Sequence, residues 1–203
     1  ADADRGSFAI LVHLPWVNAT VWFDDFQIYK QLDDGSDPED PNDPGPQRPS
    51  AKERSLDGIN YLYNGSFEIL TEDGKLDGVS SLEWGTTAVL ETDPANVYDG
   101  NNSVKLSCTN DFAWVGPWAN TLIEGATYTM SYWAKGQVNC AIGADIEFYK
   151  LNEETGKYEY MVGAATSTQG DSIVVNDETW TNCQHDFIIP EGADRVRLVI
   201  SIP

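Results

Sequence analysis

Thirty-three Asp and Glu residues against twelve Lys and Arg leave this 203-residue chain with a net charge of −21, so oxygen chemistry dominates what its side chains can do. Carboxylates serve either as hard ligands for calcium or as proton-transfer pairs, as in glycosidases, where the two must stand at a defined separation. With 33 of them pairs arise by chance, and no spacing marks one. No catalytic residue is therefore assigned, and an enzyme is not expected. Thiol chemistry is no better served. Cys108, Cys140 and Cys183 lack metal-ligand spacing and lie in strand-like runs, which reads as buried free thiols, or one disulfide with a thiol left over. His13 and His185, the only histidines, also fall within strand-like alternations, so neither is a base for a nucleophilic cysteine.

Seven Trp and nine Tyr offer flat faces on which a pyranose ring can stack. Trp84, Trp114, Trp118, Tyr149, Tyr158 and Tyr160 are the candidates for surface exposure and carbohydrate contact, with neighbouring Asn, Gln and Asp side chains to bind hydroxyls. Trp22, Trp133 and Trp180 occupy strand positions where core packing is expected. Asn18-Ala19-Thr20, Asn64-Gly65-Ser66 and Asn101-Asn102-Ser103 fit the N-glycosylation acceptor pattern, with occupancy depending on the source.

The acidic surface repels phosphate backbones, which excludes nucleic acid as a partner. The longest apolar run, Phe8 to Leu14, is too short to span a membrane. The balance fits an extracellular or cell-surface protein, and the start at Ala1 reads as a processed chain.

The elements that must position these groups fall into three stretches. Residues 1–30 read as two strands around a turn at Pro15–Ala19, the second carrying Val21, Trp22, Phe23, Phe26, Ile28 and Tyr29. Residues 31–55, with Asp33-Asp34-Gly35-Ser36-Asp37-Pro38-Glu39-Asp40-Pro41, form an acidic Pro-rich linker with almost no apolar side chain. At about 3.3 Å per residue it spans on the order of 80 Å. Residues 56–203 read as all-β, with strands at 61–69, 82–86, 89–93, 103–109, 113–117, 127–135, 140–150, 158–165, 179–188 and 195–202. The turn signals Asp73-Gly74, Asp77-Gly78, Asp99-Gly100, Thr155-Gly156 and Glu191-Gly192 punctuate them. Short strands without a helical period predict a two-sheet sandwich.

A partial repeat joins the two ends. Ala193-Asp194-Arg195 and Leu198-Val199-Ile200-Ser201-Ile202-Pro203 echo Ala3-Asp4-Arg5 and Ile10-Leu11-Val12-His13-Leu14-Pro15. Only the N-terminal copy continues, as Trp16-Val17-Asn18-Ala19-Thr20-Val21-Trp22-Phe23-Asp24-Asp25-Phe26. The sandwich is thus expected to lack its last strand and to need this one, delivered either in cis, by residues 16–29 folding back across the linker, or in trans to the next copy. Trp16 to Tyr29 carries eight large apolar side chains. Burying half of them is worth roughly 6–12 kcal/mol, comparable to the about 5–15 kcal/mol that stabilises a whole domain.

Tyr63-Asn64-Gly65-Ser66-Phe67-Glu68, Asp99-Gly100-Asn101-Asn102-Ser103-Val104-Lys105-Leu106 and Gly125-Ala126-Thr127-Tyr128-Thr129-Met130-Ser131-Tyr132-Trp133 occur in that order. Thr179-Trp180, Ile189-Pro190-Glu191-Gly192-Ala193 and Val196-Arg197-Leu198-Val199 follow. The series resembles carbohydrate-binding modules of families 4, 9 and 22, over residues 57–203 with a partial second copy at 1–29. The resemblance implies a galactose-binding-like jelly roll closed by a strand such as Val21–Phe26. It also implies a structural calcium near the joined termini, with Glu68, Asp99, Asn101 and Ser103, and Asp24 or Asp25, at the matching positions.

Two functions are then expected. The first is a secreted, non-catalytic jelly-roll subunit that donates Trp16, Val21, Trp22, Phe23, Phe26 and Ile28 to the next copy, assembling head to tail into a filament. The alternative is a polysaccharide-binding module of a modular extracellular enzyme. In the first, copies of the chain are the partner and calcium stabilises the junction; in the second, the partner is a polysaccharide.

Overall fold

The computed structural model describes residues 5–7, 10–13, 19–31, 52–77, 80–81, 86–108, 112–116, 118–120, 122–136, 140–161, 166–167, 173–175 and 178–201. In chain order the strands are β1 (Arg5–Ser7), β2 (Ile10–His13), β3 (Ala19–Lys30), β4 (Ser80–Ser81), β5 (Thr86–Glu91), β6 (Ser103–Cys108), β7 (Phe112–Gly116) and β8 (Trp118–Asn120). They continue as β9 (Thr127–Gly136), β10 (Cys140–Asn152), β11 (Lys157–Tyr160), β12 (Thr166–Ser167), β13 (Ile173–Val175), β14 (Thr181–Ile188) and β15 (Arg195–Ser201). The fold is an antiparallel all-β sandwich, as the strand-and-turn pattern predicts. Its one described helical element is a 3₁₀ turn at Pro94–Asn96, capped by the Asp93 carboxylate on the Ala95 N–H.

One sheet runs β14-β9-β3-β6-β5. The other layer is assembled from β4-β7-β2 and from β10 with its partners β11, β12, β13 and β15, with β2 in contact with β15. β1 pairs with β8. The first thirty residues therefore supply a strand to each layer, and the two echoing segments, β2 and β15, lie side by side.

β3 fills the place between β6 and β9 of its own chain. Its alternation explains the fit: Val21, Phe23 and Ile28 point inward against Leu106, Val104, Ala134 and Met130, all buried. A bulge between Asp24 and Gln27, with Asp25 at φ 48°, resets the alternation so that Phe26 also points inward. There Phe26 stacks on Tyr132 at 5.2 Å and meets Phe67 edge-on at 5.4 Å. Asp tolerates the left-handed conformation that a β-branched residue would resist.

Residues 61–69, expected as a strand, form consecutive turns, with Asn64 at φ 50° and Phe67 at φ 58°. The Asn64 side chain supplies the reason. It accepts from Ile69 N at 2.9 Å and donates to the carbonyls of Ile69 and Asp77, holding the chain in a loop instead of offering it to a ladder. The loop drops Leu62 and Phe67 into the core.

The linker's flanks are joined: Gln31 bridges Ser55, and Leu56 N donates to Lys30 O at 2.7 Å. Arg54 crosses the outer sheet face to Asp186 (3.3 Å), Thr129 (3.1 Å) and Gln184 (3.4 Å). Residues 32–51, most of the predicted linker, lie outside the described residues.

Candidate functional site

Three of the six predicted carbohydrate-contact aromatics come together on the β10–β11 hairpin. Register sets Tyr149 opposite Tyr160 and Leu151 opposite Tyr158. All four therefore share one face, while Phe148, one residue earlier, points the other way and is wholly buried. Tyr149 and Tyr160 meet at 5.7 Å and 63°, and Tyr160 stays 44 % exposed. The hairpin is held from both ends. Asn152 Oδ1 accepts from Glu154 N and Thr155 N across the turn, its Nδ2 donates to Glu159 Oε1 at 2.7 Å, and Gly156 takes φ 64°. Asp194 donates its backbone N–H to Tyr149 O at 2.9 Å and accepts from Leu151 N through its carboxylate at 2.8 Å. The result is an outward aromatic surface on a fixed backbone, the property a sugar platform needs.

A second constellation surrounds the β3 bulge, where the predicted calcium positions lie on adjoining segments. Glu68 accepts from the backbone N–H groups of Asn101 (2.8 Å) and Asn102 (2.9 Å) and from both side-chain amides. These bonds hold its carboxyl below the usual range, although partial burial opposes them. Asp24, with no exposed surface, accepts from Asp25 N through Oδ1 at 2.7 Å, and from Tyr98 N (2.9 Å) and Asp99 N (3.2 Å) through Oδ2. Burial nevertheless raises its pKa to about 6, against the pull of those three donors, and the neighbouring Asp25 charge adds to the rise. Asp25, also raised by burial, takes both its oxygens to Gln27 Nε2, at 2.7 and 2.8 Å. Ser103 Oγ donates to Asn96 O at 2.6 Å.

The glycines of the motifs are needed by this junction. A Cβ on Gly65 would lie 2.0 Å from Phe26 O, and one on Gly100 would lie 2.5 Å from Glu68 Oε1. Phe26 N donates to Gly65 O at 2.8 Å, so β3 docks on the bare backbone of the Asn64-Gly65 turn. The donor chemistry of the set suits calcium, since all its groups are hard oxygens. The carboxylates of Glu68, Asp24 and Asp25 accept from N–H donors, and among the described residues no three His, Cys, Asp or Glu side chains gather into a metal-holding group.

Trp22, expected as core, is buried at 6 % exposure, while Trp133 and Trp180, expected as core too, are half-buried. Trp22 and Trp133 alternate with the inward Phe23 and Tyr132 and so occupy the outer face of the β3 sheet, where Trp180, just before β14, joins them. The loop at 92–99 covers them: Trp22 Nε1 donates to Glu91 Oε2 at 3.1 Å and Lys135 Nζ donates to Ala95 O. Tyr98, the aromatic that stacks there, escapes sequence reasoning because it sits in a turn; its position beside Asp99-Gly100 was the available signal.

Cys183 is buried beside Tyr132, and burial pushes its thiol up to about 12, which leaves it unreactive. Of the acceptor asparagines, Asn64 is buried with Nδ2 donated to two carbonyls, bonds a glycan would have to break, while Asn101 is exposed. Asn18, Trp16 and Trp84 lie outside the described residues, as do the side chains of Trp114, Trp118, Cys108 and Cys140.

A family model described as a carbohydrate binding domain, of the family 4 and 9 type, matches residues 59–203. It leaves out β3, the middle strand of its sheet. No curated protein and no solved structure matches the chain.

Proposed function

Since the chain belongs to the family of carbohydrate binding domains of type 4 and 9, we propose that it is a non-catalytic polysaccharide-binding module whose contact surface includes the tyrosine face of the β10–β11 hairpin. The observation that carries the reading is the Tyr149–Tyr160 pair, outward on a hairpin with both ends fixed. A pyranose presents its axial C–H groups to the negative face of such a ring, and the surrounding carboxylates and amides accept and donate to its hydroxyls. The net charge of −21 favours neutral over anionic polysaccharides. Affinity electrophoresis on cellulose derivatives, xylan and mixed-linkage glucan tests the reading. Tyr160→Ala is expected to weaken binding by about tenfold or more. Binding indifferent to Tyr149, Tyr158 and Tyr160 together would remove the hairpin from the site.

A second reading, assembly through strand complementation, is supported by one feature. The N-terminal segment contributes a strand to each layer, and its covalent connection to the rest of the chain runs through residues 32–51. A second copy could receive it through the same ladder. Calcium at the junction is part of that proposal: Glu68, Asp24, Asp25, Asp99, Asn101 and Ser103 would exchange N–H donors for the cation, and β3 would bring ligands as well as apolar surface. An extracellular or cell-surface location belongs to both readings, since each needs a substrate or a neighbour outside the cell.

A further inference from the structure

The outer face of the β14-β9-β3-β6-β5 sheet carries an aromatic assembly that closing the sandwich does not require. Lys135, almost fully buried, lies 5.5 Å from the ring centres of both Trp22 and Trp180. This cation–π sandwich fixes the two indoles. Trp180 in turn meets Tyr98 edge-on at 5.9 Å, and Trp133 lies flat beneath Tyr98 at 4.0 Å and 16°. The Tyr98 backbone is tied down by its N–H to the Asp24 carboxylate. Yet Tyr98 is 39 % exposed, although one of its faces is covered by Trp133. A turn residue gains nothing in a sheet ladder from so much aromatic support; what it gains is a fixed ring. The surroundings are acidic, because the charges of Asp25, Asp99 and Asp24 all act on the Tyr98 phenol. Aromatic faces beside carboxylate acceptors suit a polyhydroxylated ring and repel a polyanion.

We propose that Tyr98, backed by Trp133 and Trp180, is a second glycan-binding platform, specific for a neutral pyranose, on the opposite side of the sandwich from the Tyr149–Tyr160 hairpin. It rests on the reading of the chain as a polysaccharide-binding module and adds a second point of contact. Two platforms on opposite faces bridge two polysaccharide chains, whereas one platform only anchors.

Calorimetry of the full chain with cellohexaose and xylohexaose, with Tyr98→Ala, Tyr98→Phe and Tyr160→Ala, tests this. For at least one sugar, Tyr98→Ala is expected to lower the stoichiometry from about two to about one, or to weaken binding about tenfold, while Tyr98→Phe keeps the stacking face and binds as wild type. Bound sugar should also change Trp133 fluorescence in Tyr160→Ala and not in Tyr98→Ala. Unchanged stoichiometry and affinity in Tyr98→Ala overturn the proposal, whatever Tyr160→Ala does. Loss in Tyr98→Ala with wild-type binding in Tyr160→Ala leaves this site standing and removes the hairpin instead. Binding of neither sugar by the wild type overturns both.

Discussion

Asp24 is the residue whose setting has the clearest consequence. It is a carboxylate without solvent contact, raised by burial to about 6 from an ordinary 3.8. A raised acid binds its proton more tightly in the folded chain than in the unfolded one. Its contribution to stability is therefore full below about 3.8 and lost as pH rises through about 6. The carboxylates held low, such as Glu68 and Glu91, act in the opposite sense but titrate below their ordinary 4.5, and so leave the interval between about pH 5 and about pH 7 to Asp24 and its neighbour Asp25. In calcium-free buffer the melting temperature should therefore rise between about pH 7 and about pH 5, and Asp24→Asn should flatten the rise, with at most about 3 kcal/mol at stake. A cation at Asp24 would hold the carboxylate ionised and reverse the slope, so the same titration with calcium present checks the calcium proposal. Gly65 supplies a steric test at the same scale. Gly65→Ala forces a Cβ against the Phe26 carbonyl and should cost about 1–3 kcal/mol in chemical denaturation; an unchanged midpoint would mean that β3 does not dock there.

At the scale of elements, β3 decides the fold. It separates β9 and β14 from β6 and β5, so removing it leaves two unpaired edges and takes Phe23 and Phe26 out of the ring cluster, exposing Phe67 and Tyr132. Phe26→Ala alone should cost about 3–5 kcal/mol. Deleting residues 1–30 should abolish cooperative unfolding, and a synthetic peptide spanning Trp16–Tyr29 should restore it. A deletion variant that melts cooperatively without the peptide would show that the strand is dispensable. Strands β6, β7, β9, β10, β11, β14 and β15 were legible as apolar alternation between turn signals, whereas the short β8, β12 and β13 were not, and β5 runs across the break expected between 86 and 89. The exception at 61–69 shows what periodicity misses. Tyr61 to Ile69 has strand-like composition, but the hydrogen bonds of Asn64 and the approach of Phe26 to Gly65 make it a loop, and both depend on residues remote in sequence.

At the scale of the molecule, assembly turns on which copy β3 serves. In the structure it closes its own sheet, and the Gln31–Ser55 bridge joins the ends of the segment that would have to open for exchange. Light scattering reads the answer: a particle of 22.4 kDa at all concentrations removes the filament reading, and concentration-dependent growth that excess EGTA reverses supports it with its calcium junction. With 21 net negative charges the copies repel, so any association should strengthen with salt.

The sequence alone determined the all-β class, the carbohydrate-binding family, and the pairing of a free apolar strand with a sandwich that needs one. These are properties of period, motif order and composition, which a linear chain carries openly. Tertiary structure alone decided which side of a sheet each aromatic faces. Register and the bulge at Asp25 set that, and a shift of one residue sends a side chain to the opposite face. For that reason Trp22, Trp133 and Trp180 pack on the outer face of the sheet, Trp22 buried there and the other two half-buried, and Tyr98 became a supported ring only when the loop at 92–99 folded onto them.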